Sequence, residues 1–180
     1  MQKLKFLAPA LPLTVICVVI ALLLSLINAL TADRIVKNAL EEKALAIEDI
    51  VPSSKGFESA DSSLYAKTVK EAGRVKNESG ETIGYYAEVS PVGFKGEISL
   101  IIGCNIEGRI LRVSCLATSE TPSVGTKATD VGYLVNFANK DKTDVDAVDT
   151  ISGATISSRA VKSGIKNAVI TISNIIEEGK

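Results

Sequence analysis

TIGYYAEVSPVGFKGEISLIIGCNIEGRILRVSCLA, residues 82–117, contains three apolar segments that are separated by short turns with glycine. The segments are Thr82–Ser90, Gly96–Cys104 and Gly108–Ala117, and each carries β-branched or aromatic residues, which strands favour. Turns this short join neighbouring antiparallel strands, so the stretch predicts a β-meander. The almost continuous apolar run of the middle segment predicts that its strand is well buried.

Two cysteines of this meander depend on its register. If the second turn centres on Glu107–Gly108, Cys104 faces Leu111 and Cys115 faces Leu100. The two thiols are then not opposed, and a disulfide would require a shifted register. We expect both to be buried thiols that pack as small apolar side chains.

The segment that follows the meander ends in a helical pattern. TISSRAVKSGIKNAVITISNIIEEGK, residues 155–180, places apolar residues along one helical face, which consists of Val161, Ile165, Ala168, Val169, Ile172 and Ile175. Between the meander and this helix we predict a polar loop (118–130), a short helix (131–140) and an acidic loop (141–149). We therefore predict an α+β fold, in which a small antiparallel sheet is packed by helices.

The N-terminal stretch FLAPALPLTVICVVIALLLSLINAL, Phe6–Leu30, has no charged residue. At ~1.5 Å per residue a helix of this length crosses a hydrocarbon core of ~30 Å, and the regular helix is expected to begin around Pro12. A cleaved signal peptide is the alternative, but its apolar region is normally about 7–15 residues long, so we favour a retained anchor. Lys3 and Lys5 precede the stretch, which places the N-terminus in the cytoplasm and the rest of the chain on the extracytoplasmic side of the cell membrane.

Four parts are expected along the chain. They are a cytoplasmic N-terminus (1–5), a transmembrane helix (6–30), a juxtamembrane helix with a linker (31–60) and an extracytoplasmic domain (61–180). The juxtamembrane helix ends before Pro52 and either continues the membrane helix or lies on the folded domain. Residues 52–63 are predicted to form a loop because they are rich in Ser, Gly and Pro.

The composition excludes several classes of function. A net charge of −1 without a basic block disfavours nucleic-acid binding. The chain has no histidine, which removes the commonest general base, metal ligand and haem ligand. Its cysteines, Cys17, Cys104 and Cys115, form no CxxC pair, so neither a zinc site nor an iron–sulfur cluster is expected.

A hydroxyl-rich stretch, DTISGATISSRAV (149–161), lies at the entrance to the last helix. Gly153 and Ala154 leave the backbone uncrowded, and the candidate capping residues are Ser152, Thr155, Ser157 and Ser158. The same helix start could hold a phosphate, although the sequence has no P-loop. On residue types alone, helix capping is the favoured interpretation.

DTISGAT, Asp149–Thr155, matches position by position the flavinylation motif Dxx[ST]GA[TS]. The chain resembles the G subunit of the Rnf complex, an ion-translocating electron-transport complex. The resemblance includes the N-terminal membrane helix, the hairpin NIEGRILRV, the loop ETPSVGTK and the motif before the last helix. The C subunit of the Na⁺-translocating NADH:quinone reductase shares the motif and the FMN-binding domain.

The resemblance implies roles for seven residues. Thr155 carries FMN through a phosphoester made by a flavin transferase. Either the transferase reads Asp149, Ser152, Gly153 and Ala154, or these residues shape the turn. Glu120 and Thr121 lie near the isoalloxazine ring. The family often has Gly-Leu-Gly after ETP, where this chain has Ser123-Val124-Gly125.

Elementary chemistry supports an external transferase. A threonine hydroxyl is a poor nucleophile, and this chain has no histidine to activate it. The flavin ring could contact Tyr85, Tyr86, Tyr133 or Phe137, although core or surface roles are favoured for each of them.

The function expected is that of an electron-carrying subunit, which is not catalytic alone. It would work with the integral-membrane, Fe–S and flavin subunits of an Rnf complex that links ferredoxin and NAD⁺ to the movement of Na⁺ or H⁺. One apolar helix without charge cannot carry ions by itself. The alternatives are the quinone-reductase C subunit, which is typically longer, a membrane-anchored flavoprotein outside such a complex, and an anchored adaptor without flavin.

Overall fold

The computed structural model describes residues 10–52 and 54–179. The described residues up to Lys43 form one compact unit, and those from Ala44 onward form a second. The helices are α1 (Ala10–Ile50), α2 (Val131–Leu134) and α3 (Thr155–Glu178), and the strands are β1 (Gly56–Ser59), β2 (Val69–Lys76), β3 (Thr82–Val89), β4 (Ile98–Cys104) and β5 (Ile110–Thr118). Short 3₁₀ turns lie at Ser62–Leu64, Gly125–Thr129, Val135–Phe137 and Val145–Ala147.

Helix α1 contains the described part of the expected membrane segment. Residues 1–9, which include Lys3, Lys5 and the first residues of that segment, lie outside the described residues. Apolar side chains between Leu13 and Leu30 are exposed, and α1 is long and apolar enough to cross a membrane by length and composition. The helix runs on without a break to Ile50, just before Pro52, so residues 31–50 continue the helix that contains the apolar segment.

The sheet is antiparallel throughout, in the order β1-β2-β3-β4-β5. The predicted meander is confirmed as β3, β4 and β5. The loop prediction for 52–63 is wrong at Gly56–Ser59, which forms the edge strand β1. This strand fits closely because Gly73 of β2 has no side chain: a Cβ there would lie 1.9 Å from the Glu58 carbonyl oxygen.

The register of the β4–β5 hairpin agrees with one of the two predicted pairs. Leu100 faces Cys115 as expected, whereas Cys104 faces Ile110 rather than Leu111, because the ladder is irregular between Gly103 and Cys104. Both thiols are free. Cys104 is fully buried, which raises its pKa to about 12, and Cys115 is only half-buried.

Helix α3 covers one face of the sheet. All six residues of its predicted apolar face are buried, as expected, and pack with β-strand residues such as Leu100 and Ile102. On the opposite face a smaller cluster joins Ile47 and Ile50 to Tyr86 and Ile101. Burying a large aliphatic side chain stabilises a fold by about 1.5–3 kcal/mol, so these two layers dominate the stability of the unit.

One close contact joins the first half of α3 to the residue at the beginning of the β3–β4 turn. A Cβ at Gly164 of α3 would lie 2.7 Å from Cγ of Pro91, so the absence of a side chain at Gly164 allows this approach. The turn that follows Pro91 carries Phe94. The contact therefore holds the beginning of this turn against the first half of α3.

A cavity at the start of the last helix

Three segments that are distant in sequence enclose a cavity of about 320 Å³. The β3–β4 turn contributes Phe94, the loop after β5 contributes Thr121, Val124 and Gly125, and the start of α3 contributes residues 153–157. Small-molecule sites typically occupy ~300–1,000 Å³, so the cavity has the size of a modest ligand site.

The first turn of α3 lacks a side-chain cap. Ala154 is the N-cap residue and makes no side-chain capping bond, so the capping predicted for the hydroxyl residues here is wrong. The Ser158 hydroxyl donates to the Ala154 carbonyl at 2.9 Å and accepts from the Ile151 N–H at 3.2 Å. The first N–H groups of a helix have no intrahelical partner and form the positive end of its dipole. This helix start is therefore suited to an anion.

Gly153 and Thr155 lie directly at this helix start. Gly153 has a φ of +82°, a left-handed conformation that glycine adopts readily. Thr155 is half-buried, and its Oγ1 donates to the Ile151 carbonyl at 3.5 Å. Such a long bond is weak, so the hydroxyl is only loosely held.

Glu120 links the walls of the cavity. Its side chain is buried, and its Oε1 accepts from the Lys95 N–H at 2.9 Å while its Oε2 accepts from the Ser157 hydroxyl at 2.8 Å. Burial alone would raise the pKa of this carboxyl. Bonds from Ser157 and from the backbone N–H groups of the β3–β4 turn outweigh burial and hold the pKa below its ordinary value.

The loop after β5 is shaped by Glu120 and by one unusual backbone conformation. A Cβ on Gly125 would lie 2.1 Å from Oε2 of Glu120, so a glycine is needed there. Ser123 occupies the position at which the family often has glycine, and it has a φ of +63°. Its N–H donates to Oγ1 of Thr126 at 3.0 Å. The departure from Gly-Leu-Gly therefore places a side chain in the left-handed region, which is unfavourable for residues other than glycine.

Four of the seven predicted site residues line the cavity, and the other three do not. Thr121, Gly153, Ala154 and Thr155 line the cavity. Glu120 lies behind the wall and does not itself line it. Ser152 is exposed and does not line it either, while Asp149 lines a separate polar groove together with Tyr133 and Lys140.

None of the four aromatic residues considered from the sequence lines the cavity. Tyr133 and Phe137 pack edge to face in the core with ring centroids 5.5 Å apart, and the Tyr86 hydroxyl donates to Glu71 at 2.6 Å on the other side of the sheet. The aromatic residue that lines the cavity is Phe94, which is 71% exposed. Its position in a glycine-flanked turn was the signal in the sequence that could have identified it.

The segment that precedes the motif is held on α3 by two lysines. The Lys162 ammonium donates to the carbonyls of Asp146 and Val148 at 2.9 and 2.7 Å. Lys166 forms an ion pair with Asp146. Part of the predicted acidic loop is a 3₁₀ turn, Val145–Ala147.

Among the described residues, no group of three or more His, Cys, Asp or Glu side chains could hold a metal ion.

Comparison with known proteins places this cavity in a recognised domain. Residues 93–170, which include all its lining residues, match the family model of the FMN-binding domain. The chain is similar to the G subunit of an ion-translocating oxidoreductase complex of Methanosarcina acetivorans, with 30% identity over 89% of this chain and 91% of that protein. It is also similar to the G subunit of a Na⁺-translocating ferredoxin:NAD⁺ oxidoreductase complex of Acetobacterium woodii, with 28% identity over 91% of this chain and 89% of that protein.

A solved structure has the same fold. The crystal structure of NqrC from Shewanella oneidensis superposes with a TM-score of 0.50 and 17% sequence identity, and the match covers 70% of this chain and 71% of that one. At this level of identity the likeness concerns the fold alone.

Proposed function

Because the chain belongs to the family of G subunits of ion-translocating, Rnf-type oxidoreductase complexes, we propose that it is a membrane-anchored FMN protein that carries electrons within such a complex. The observation that carries the proposal is the position of Thr155. It is the first residue of α3, lines the cavity and belongs to the FMN-binding domain. The Acetobacterium woodii protein is named for a complex that couples ferredoxin and NAD⁺ to Na⁺ translocation.

The residues around the cavity fit FMN. The uncapped start of α3 would hold the phosphate, and Gly153 and Ala154 leave room for it to approach the backbone. Phe94, Val124 and Ile156 offer an apolar and largely exposed surface for the ring. When bound, FMN supplies reversible uptake of electrons, and the protein supplies its binding, orientation and electrostatic surroundings.

The attachment proposed is a phosphoester between FMN and the Thr155 hydroxyl. The hydroxyl makes only a long bond to Ile151, which can be released at little cost. Attachment from FAD breaks the diphosphate bond, forms the phosphoester and releases AMP, with the hydroxyl proton passing to a base. This chain has no histidine for that task, so a separate flavin transferase with metal-activated chemistry is proposed.

The anchor would place the flavin at the membrane surface. Helix α1 fits a single-pass membrane anchor. Lys3 and Lys5 before it favour an N-terminus in the cytoplasm and an FMN-binding domain on the extracytoplasmic side, where a covalent bond prevents loss of the flavin. We propose that electrons arrive from one partner protein of the complex and leave to another. Ion movement is assigned to those partners because α1 has no charged residue in its apolar part.

The C subunit of a Na⁺-translocating quinone reductase is the second candidate, and the NqrC fold is consistent with it. Similarity to G subunits over about nine-tenths of both chains favours the first candidate. A flavoprotein outside such a complex would carry FMN without co-purifying membrane subunits. An adaptor would carry none.

The test is covalent labelling of the full chain. The chain is produced with a flavin transferase, separated by denaturing electrophoresis, viewed under ultraviolet light and weighed intact. We expect a fluorescent band whose added mass equals FMN less water, no label on Thr155→Val and full label on Thr155→Ser. Thr150→Val serves as the matched control and should stay labelled, because it makes the same exchange at an exposed position where the motif accepts any residue.

Two results would contradict this proposal. Label on Thr155→Val would move the attachment to Ser152, Ser157 or Ser158. A dark wild-type band, with a known substrate labelled in parallel, would leave the motif as an ordinary helix start.

A further inference from the structure

Glu120 is a buried carboxylate that lies one residue behind the wall of the cavity. It is 5% exposed and does not line the cavity. Two residues that do line the cavity, Gly125 and Ser157, contact it directly. The Ser157 hydroxyl lies 2.8 Å from Oε2, and a Cβ on Gly125 would lie 2.1 Å from the same oxygen. The carboxylate is thus separated from the cavity by a single layer of atoms on two sides.

The charge of this carboxylate is not cancelled by a cation. It accepts hydrogen bonds from the Lys95 N–H and from the Ser157 hydroxyl, which are neutral donors. None of the ion pairs among the described residues involves Glu120. The same bonds favour the ionised form, so the carboxylate is negative at neutral pH.

We propose that Glu120 is a positioning residue that acts through the wall as a fixed negative charge and lowers the midpoint potential of FMN held in the cavity. A buried charge is screened by solvent much less than an exposed one. Reduction adds electrons to the bound group, so a fixed negative charge nearby disfavours the reduced state. The inference rests on the proposed function, since it requires FMN in this cavity.

The location of Glu120 beside the first turn of α3 gives the charge a second effect. The positive end of the helix dipole favours negative charge in the cavity and so favours reduction. Glu120 bonds to Ser157 in that turn and offsets part of this positive field. Its carboxylate therefore limits how strongly the helix start raises the potential.

Glu120→Gln tests the charge with little change in shape. The Gln carbonyl can accept from the Lys95 N–H, and its NH₂ can donate to the Ser157 oxygen. Ser157→Ala is the matched control because it breaks the same bond and keeps the carboxylate. The full chain in detergent, produced with a flavin transferase, is first weighed to establish complete FMN loading and then titrated between its oxidised and reduced forms.

We expect Glu120→Gln to raise the equilibrium constant for reduction of the bound FMN at least tenfold. For a two-electron couple this corresponds to a rise in midpoint potential of about 30 mV. Ser157→Ala should change the same equilibrium less than about threefold, because the charge stays in place. If the Glu120→Gln variant is too unstable to be produced, the double variant Ser123→Gly/Glu120→Gln is compared with Ser123→Gly alone. Ser123→Gly relieves a strained backbone position and so should stabilise the chain.

The results separate the two proposals. Equal midpoint potentials for fully loaded wild type and Glu120→Gln would overturn the inference and leave the function in place. Equal shifts in Glu120→Gln and Ser157→Ala would also overturn it, since the bond rather than the charge would then act. A wild type without FMN would overturn the proposed function and this inference with it.

Discussion

The Lys162 ammonium donates to the Val148 carbonyl at 2.7 Å and so ties the residue before Asp149 to α3. A second bond to the Asp146 carbonyl, at 2.9 Å, holds the preceding 3₁₀ turn. Asp149 begins the matched motif and is exposed, so its position depends on how this segment is held. Lys162 therefore holds the segment that leads into the motif, from a position seven residues beyond Thr155.

Replacing Lys162 with Met should loosen this segment. Two carbonyls lose a charged donor. Bonds of this kind contribute about 1.5–3 kcal/mol when buried, but Lys162 is only half-buried and solvent screens its charge, so we expect the free energy of unfolding to fall by about 1–2 kcal/mol in total. FMN attachment should also slow severalfold, because the transferase meets a less ordered motif. Urea unfolding of the flavin-free chain in detergent, followed by tyrosine fluorescence, measures the first effect. All four tyrosines lie in the second unit and the chain has no tryptophan.

The control for Lys162 is Lys166→Met, which removes only an exposed ion pair with Asp146. Exposed pairs contribute about 0–1 kcal/mol, so this variant should be nearly as stable as the wild type. Equal stability and labelling rates in the two variants would contradict a specific role of Lys162.

Ser123→Gly should stabilise the loop after β5. Ser123 has a φ of +63°, and a left-handed conformation costs residues other than glycine about 1–2 kcal/mol. Part of the gain is lost because glycine is more flexible in the unfolded chain, so the free energy of unfolding should rise by up to about 1 kcal/mol. The same tyrosine-monitored unfolding measures it.

Asn139→Gly provides the comparison for Ser123→Gly. Asn139 has a similar φ of +61°, but asparagine tolerates this region far better than serine. Its gain should be smaller. A larger gain at Asn139 than at Ser123 would mean that backbone strain does not explain the result.

The parts of the fold that the sequence predicts are those with an uninterrupted local pattern. Strands β3 to β5 and helix α3 each bury a regular set of apolar residues. Strand β2 escapes prediction because its sequence, VKEAGRVK, does not alternate between apolar and polar residues: the charged Lys70 and Glu71 are adjacent, and so are the small, buried Ala72 and Gly73. Its strand form comes from pairing with β3, which lies beyond the reach of a local pattern.

The site divides in the same way. The motif that ends at Thr155 is contiguous, so it can be identified from the sequence. The contact between Glu120 and Ser157 behind the cavity cannot be identified in this way, because these residues are 37 positions apart and meet only in the folded chain. Phe94 comes from the β3–β4 turn and joins the cavity only in the folded chain, so no local pattern encodes its position.

Phe94→Ala should expose the proposed flavin without releasing it. Phe94 lines the cavity from the β3–β4 turn, whereas attachment depends on Thr155. Loss of the aromatic wall opens the ring site to water, so quenching of flavin fluorescence by iodide should increase about twofold while the covalent label persists.

Val92→Ala is the control for Phe94. Val92 is 69% exposed in the same hairpin but does not line the cavity, so its quenching should match the wild type. Unchanged quenching in Phe94→Ala would remove this residue from the flavin site.

Glu120 should also make the stability of the domain depend on pH in the acid range. Its pKa in the folded protein lies below its ordinary value, so the ionised carboxylate stabilises the fold fully above the ordinary glutamate pKa. That stabilisation is lost as the pH falls through the lower, folded-state pKa. Glu120→Gln should therefore lower the free energy of unfolding by about 1–3 kcal/mol at pH 7 and by progressively less as the pH is lowered below about 4.

The control is Ser157→Ala, which removes one bond but keeps the titrating group, so a pH-dependent contribution should remain in that variant. Unfolding of the flavin-free chain at a series of pH values measures both, and a cost of Glu120→Gln that is the same at every pH would show that the carboxylate is not held in its ionised form by the bonds around it.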